Sequence, residues 1–329
     1  MNSHVSPSLK SRYRGVLLGL AAGDALGTTL EFASPGSFEP ISDMVGGGPF
    51  QLEPGQWTDD TSMALCLAQS LVERGGLDAR DQMERYCRWW RDGYLSSTGS
   101  CFDIGNTVKE ALSAYLHSLN PISGSTAISS AGNGSLMRLG PVPLAYRRHS
   151  SRAMAAAVAS SKTTHGAPEC LDACRAFSGL LLAALEGWSK ERLCTASWQE
   201  LPGFVAEDEL EPAVESVMRG SYRQGHPPRI RGTGYVVQSL EAALWAFYRS
   251  QDFRQGALLA ANLGDDADTT AAIYGQLAGA FHGEKGIPEA WRSRLTCGDL
   301  MVELADALLS LSEEGRDGPH LNLDPGVTT

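Results

Sequence analysis

Apolar residues recur at i, i+3 and i+4 through most of this chain, a period that admits helices and little else. The pattern runs through residues 16–26 and 63–72, and again through 180–185, 236–247, 271–281 and 301–311. Alternating Val, Ile and Thr, the mark of half-buried strands, is nearly absent. Gly15, Gly19 and Gly23 stand four apart on one helical face, a spacing that lets a second helix approach closely. With 329 residues, 43% of them hydrophobic and 20% charged, the chain can bury a sizeable core. No shift in composition marks a boundary, and no internal repeat is visible. The expected fold is all-α, one compact multi-helix domain over residues 1–312, with residues 313–329 as a disordered tail.

Charge and cysteine content narrow the function classes. A net charge of −11 repels phosphate backbones, so nucleic acid is not an expected partner. Seven cysteines without paired spacing suit reduced thiols better than a disulfide framework or a zinc site, and the expected compartment is cytoplasmic. The N-terminal residues lack the apolar core of a signal peptide. Asp24, Glu186 and Asp265 interrupt the most apolar stretches, so no membrane span is expected. Two Gly- and Pro-rich connections, 33–56 and 201–232, are long enough to be binding or lid segments, and a short helix is expected from Pro212 to Met218 within the second.

Two short segments concentrate carboxylates and hydroxyls at helix starts. One is Gly55-Gln56-Trp57-Thr58-Asp59-Asp60-Thr61, ahead of a helix beginning near Ser62. The other is Gly264-Asp265-Asp266-Ala267-Asp268-Thr269-Thr270. Asp and Thr are favoured caps, which explains one acidic residue at each place. Capping does not explain a pair in one segment and three in the other, because adjacent carboxylates repel unless a cation sits among them. Metal binding therefore accounts for them better, and oxygen donors suit Mg²⁺, Mn²⁺ or Ca²⁺ rather than zinc. The EF-hand ligand order is absent, which disfavours a calcium loop.

Softer signals lie elsewhere. Gly132-Asn133-Gly134-Ser135 reads either as a simple turn or as a helix start whose N–H groups cradle a phosphate. Asp24, in an apolar face, is either functional or a buried anchor. Asp103, before Ile104-Gly105-Asn106-Thr107, reads equally well as an N-cap. His165, after Thr163 and Thr164, reads first as a helix-start histidine.

Taken together and in order, these clusters resemble the ADP-ribosylglycohydrolase family, which includes the dinitrogenase-reductase-activating glycohydrolases and the ADP-ribosylarginine hydrolases. GDALG with Glu31-Phe32, GQWTDDT, FDIGNT, GNGSLMR, Thr164-His165-Gly166, GYVVQSLEAALWAF and GDDADTTAA carry the resemblance, from Gly15 to about Gly283. It implies an all-α domain around a dinuclear cleft holding two divalent cations, Mg²⁺ or Mn²⁺. The implied ligands are Thr58, Asp59, Asp60, Asp266, Asp268 and Thr269. Asp60, Glu31 and Asp103 are the implied catalytic carboxylates. Gly105, Asn133, Gly134, Ser135, His165 and Tyr235 are the implied substrate contacts.

One departure stands out. Gly264-Asp265 occupies a place where the family commonly has two glycines, and Asp265 is expected to add negative charge beside the metals. With Glu31 and Asp103 it would leave an acidic cleft mouth suited to a guanidinium. The expected activity is metal-dependent removal of ADP-ribose from a modified protein, most readily from arginine, with ADP-ribose as product. The alternatives are a serine, nucleobase or O-acyl linkage, a non-catalytic binder that sequesters a modified or modifying protein, or a purely structural role.

Overall fold

The glycine stripe at Gly15, Gly19 and Gly23 meets a second stripe far along the chain. In the structure, a computed structural model describing residues 6–314 and 318–323, the first helix, α1 (Leu9–Gly27), lies antiparallel against α12 (Ala267–His282). A methyl on Gly19 would stand 2.2 Å from the Gly275 carbonyl oxygen, and one on Gly279 would stand 1.8 Å from that of Gly15. Only hydrogen fits between the two backbones.

The remaining helices build outward from that pair. They are α2 (Asp59–Arg74), α3 (Ala79–Asp92), α4 (Asn106–Ser118), α5 (Pro141–Ala145), α6 (Ser150–Lys162) and α7 (Pro168–Leu185). Then come α8 (Lys190–Thr195), α9 (Pro212–Met218), α10 (Val236–Arg249), α11 (Phe253–Ala261), α13 (Glu289–Arg292) and α14 (Gly298–Glu313). Local chemistry sets their ends. Ser8, Asp78 and Asp252 cap α1, α3 and α11 by accepting from the N–H three residues on. Proline opens α5, α7 and α9, where its missing N–H costs nothing. Gly75 and Gly93 close α2 and α3 in the left-handed conformation.

Helices α2 and α14 pack on α1, while α7, α10 and α11 surround α12. Every residue of α12 from Ala267 to Ala280 is buried, so this helix is a core axis rather than a one-faced surface helix. The expectation of a single all-α domain holds, and α9 spans the residues its opening proline indicated. Among the described residues, no helix is long and apolar enough to cross a membrane.

Two differences from the sequence reading concern strands and the tail. Residues 313–329 read as a disordered tail, yet β2 (His320–Asn322) pairs in parallel with β1 (Gly76–Asp78). Tyr146 joins the two: Leu77 N–H donates to its hydroxyl at 2.8 Å, and that hydroxyl donates to the His320 carbonyl. Three residues are too few for alternation to register, and the pairing is long-range, so the sequence pattern carries no sign of it. Residues 315–317 and 324–329 of the expected tail lie outside the described residues.

The seam is testable. Gly19→Ala or Gly275→Ala drives a methyl into a backbone carbonyl that cannot step aside, at a cost of about 1–3 kcal/mol or more. Urea unfolding should show that loss for either variant; unchanged stability in both would mean the two backbones do not meet.

Candidate active site

The site begins with a buried aspartate one turn from the end of α1. Asp24 has no exposed surface, and its carboxylate accepts four bonds from the start of α2. Oδ1 accepts from Thr58 N–H at 2.9 Å and Thr58 Oγ1 at 3.0 Å. Oδ2 accepts from Thr61 N–H at 3.0 Å and Thr61 Oγ1 at 2.6 Å. Burial nevertheless lifts its pKa to about 6 against those donors. Asp24 is therefore the anchor, and it caps α2 from a different helix, which lets α2 start at Asp59 rather than near Ser62.

That borrowed cap leaves the residues at the two helix starts uncommitted to local capping. Thr58 makes no side-chain cap bond at α2, and Asp266 makes none at α12. Freed from capping, the two helix starts face each other. Thr58 Oγ1 lies 3.2 Å from Asp268 Oδ2, and Thr269 Oγ1 donates to Asp60 Oδ2 at 3.3 Å. Glu31, Asp103 and Asp268 each bring an oxygen within 4.8 Å of the others. Glu31 Oε2, Asp60 Oδ1 and Asp268 Oδ1 are buried without a hydrogen-bond partner. Orphaned carboxylate oxygens are costly, and a hard divalent cation is the partner this donor set fits.

Burial, and then mutual repulsion, lifts every carboxyl of the group. Asp59, Asp60 and Asp268 stand well above the ordinary range, and Asp266 is raised as well. Glu31 is pushed up to about 10 and Asp103 to about 7, with burial the main cause in each, and their oxygens lie within 4.8 Å of one another. Carboxyls this close and this buried favour holding a proton, and Glu31 is raised further than Asp103.

Above the cluster opens a cleft of about 770 Å³. Glu31, Asp59, Asp103, Gly105, Asn133, Gly134, His165, Asp266 and Thr269 line it, while Thr58, Asp60 and Asp268 lie buried within the cluster beneath. Two expected contacts fall outside. Ser135 faces the interior, where its hydroxyl lies 2.8 Å from Ser161 Oγ. Tyr235 lines an adjoining hollow of about 450 Å³ with Ile128 and Ser130, and its hydroxyl donates to Glu169 at 2.8 Å.

Local readings are corrected too. Asp103 is no N-cap: it sits at φ 58°, and Gly105 takes the cap position of α4. The Gly132–Ser135 segment starts no helix but forms a turn, closed by Leu136 and Met137 N–H donating to the Asn133 carbonyl. Asn133 Nδ2 instead donates to Asp266 Oδ2 at 2.6 Å and so orients that carboxylate. His165 stands outside α7, whose cap is Ala167. Asp265 lines the cleft and its charge adds to the rise of Asp266, while at φ 54° its Oδ2 forms a 3.0 Å ion pair with Arg231. Arg231 was not singled out from the sequence, and its one signal was a place at the end of the Pro-rich connection, just ahead of Gly234-Tyr235.

Comparison with known proteins identifies the family. A sequence model of the ADP-ribosylglycohydrolase family matches residues 5–318. This chain belongs to that family. It is 42% identical to ADP-ribosylarginine hydrolase Tri1 of Serratia proteamaculans (strain 568), over 92% of this chain and 80% of that protein. It is 44% identical to the protein of the same name from Pseudomonas putida (strain GB-1), over 90% of this chain and 77% of that one. A solved structure titled ADP-ribosylglycohydrolase-related protein complex superposes with a TM-score of 0.81 at 43% identity, covering 92% of this chain and 99% of its own. The two acidic helix starts and the cleft above them thus stand in an ADP-ribosylglycohydrolase fold.

The raised carboxyls predict how this glycohydrolase fold responds to pH. A group raised in the folded state stabilises it fully below the ordinary carboxylate range near 4 and loses that contribution as pH rises towards the folded value. For Asp103 the window closes at about 7, and for Glu31 at about 10. With chelator present, the melting temperature should fall from pH 5 to pH 9. Saturating Mg²⁺ should raise it more at pH 8 than at pH 5, because binding releases protons. A melting temperature at pH 8 indifferent to Mg²⁺ and Mn²⁺ alike would count against a cation centre.

Proposed function

We propose that this chain hydrolyses the N-glycosidic bond between ADP-ribose and an arginine side chain of a modified protein, reversing mono-ADP-ribosylation. The observation that carries the reading is the meeting of Thr58–Asp60 with Asp266–Thr269 beneath the cleft, in a chain more than 40% identical to proteins named ADP-ribosylarginine hydrolase. A cleft of about 770 Å³ is large enough for a ligand of nucleotide size.

In this reading Thr58, Asp59, Asp60, Asp266, Asp268 and Thr269 hold two divalent cations, Mg²⁺ or Mn²⁺. Bound there, the cations supply Lewis acidity to a ribose hydroxyl and to water. The chain's own residues do the rest. Asp24 fixes the Thr58–Thr61 turn, and Asn133 fixes the Asp266 carboxylate. Of the two raised carboxyls on the cleft wall, Glu31 holds its proton the more firmly and Asp103 is the base that takes one from the attacking water. The modified guanidinium is a cation in the substrate, leaves as neutral guanidine with the C–N electron pair, and takes up the proton that Asp103 removed from water. The carboxylates around the cluster favour that cation over a neutral serine linkage. Arg231 offsets Asp265, so Asp103 and Asp59 carry that preference.

The test is release of free ADP-ribose from ADP-ribosylarginine and ADP-ribosylserine peptides, followed by chromatography with and without Mg²⁺. Arginine should be the faster substrate, and chelation should abolish release. Asp60→Ala and Asp268→Ala should each lose two or more orders of magnitude in turnover while circular dichroism stays native. Equal or reversed rates on the two peptides would favour a serine or O-acyl linkage, and binding without any turnover would favour a sequestering role.

A further inference from the structure

This inference rests on the cleft being an ADP-ribose site and deepens it. Behind the cleft wall three buried side chains stand in a line. Arg138, fully buried, donates from Nη1 to the Gly134 carbonyl at 2.7 Å and from Nη2 to Thr164 Oγ1 at 2.8 Å. Its guanidinium lies over the Tyr86 ring, 4.9 Å from the centroid. Thr164 Oγ1 in turn lies 2.9 Å from His165 Nδ1.

Donor and acceptor accounting fixes the ring. A guanidinium only donates, so Thr164 Oγ1 accepts from Arg138 and has one hydrogen to give. Among the described contacts His165 Nδ1 is the one acceptor that hydroxyl reaches. Nδ1 is therefore the bare nitrogen, and the ring proton sits on Nε2. Burial, with Arg138 close by, holds the imidazole down to about 3, so it stays neutral with one donor and one acceptor nitrogen.

The backbone holds the same orientation. His165 N–H donates to the Ser161 carbonyl at 2.7 Å, and Ser161 Oγ donates to the His165 carbonyl at 2.8 Å. The Nε2 edge lies against the two glycines of the Gly132–Ser135 turn. A methyl on Gly132 would stand 3.3 Å from Nε2, and one on Gly134 would stand 2.8 Å from Cε1. Those glycines are the seat of the ring. His165, Gly132 and Gly134 together form part of the cleft wall.

We propose that Arg138 and Thr164 are positioning residues that lock His165 as the Nε2–H tautomer, so that the ring offers the cleft a fixed hydrogen-bond donor for an acceptor oxygen of bound ADP-ribose. Neither residue reaches the cleft itself. GNGSLMR and the Thr164-His165-Gly166 segment are then two halves of one device, the first supplying the seat and the clamp, the second the hydroxyl and the ring.

Ring ¹⁵N NMR of histidine-labelled protein, with His165→Gln to assign the signal, reads the tautomer without any ligand. Protonated Nε2 with bare Nδ1 is expected; protonated Nδ1 overturns the proposal. Thr164→Val keeps the shape and removes the hydroxyl. By calorimetry with ADP-ribose and Mg²⁺ it should bind roughly tenfold more weakly, the loss of one hydrogen bond of ordinary strength. KM should rise by a similar factor with kcat nearly unchanged, and Thr164→Ser should restore both. A folded Thr164→Val that binds ADP-ribose as tightly as the wild type overturns the proposal, and should that variant not fold, the wild-type ring spectrum decides. A wild-type protein with the expected tautomer that binds no ADP-ribose would overturn the reading of function and leave the tautomer standing.

Discussion

Everything in the site depends on how closely α1 and α12 approach. Their glycines let two backbones touch, and because the helices are antiparallel, the end of α1 lies beside the start of α12: a methyl on Gly27 would stand 2.4 Å from Asp268 Cα. One turn before that end, Asp24 catches the start of α2 with four hydrogen bonds. A single helix end thereby gathers two acidic segments that the sequence keeps far apart. An ordinary helix pair, spaced by side chains at 8–10 Å between axes, would leave them out of reach of one another.

The crowding that results is not a stabilising arrangement. Asp59, Asp60, Asp268 and Glu31 are buried together, and after burial the charge of Asp103 and of other neighbouring carboxylates raises each of them further. Buried like charges persist in a fold only where the surroundings hold them and a partner of opposite charge compensates them. The holding is visible: Asp24 replaces the local caps, Asn133 orients Asp266, and Thr58 and Thr269 interleave their hydroxyls among the carboxylates. Asp265 shows the same logic at the rim, where its charge raises Asp266 and Arg231 pairs with it at 3.0 Å.

The part of the cleft wall at Gly132, Gly134 and His165 is built on a different principle. There the charge of Arg138 is fully buried, with its two terminal nitrogens bonded to carbonyl and hydroxyl oxygens and its guanidinium stacked on Tyr86, so it serves as a fixed donor rather than as an ion facing substrate. Carboxylates around the cluster and neutral, oriented donors at this part of the wall suit a ligand with a cationic group at one end and phosphates at the other.

Periodicity and composition were enough to determine the class of fold, because a 3.6-residue apolar repeat survives in the sequence whatever the helices pack against. They also indicated the seam, since glycines four apart have little other use, and the acidic segments, since adjacent carboxylates are hard to explain locally. The tertiary structure alone decided what each residue does. Whether Asp59 and Asp60 cap a helix depended on Asp24 arriving from another one. Whether Ser135 meets the cleft depended on which way a turn faces, and Arg231 and Asp265 pair across a gap of 34 residues. The β1–β2 pairing joins residues 76–78 to 320–322 through backbone bonds that leave no mark on composition. Such contacts are made between segments with no local constraint on one another, so no window along the chain contains them.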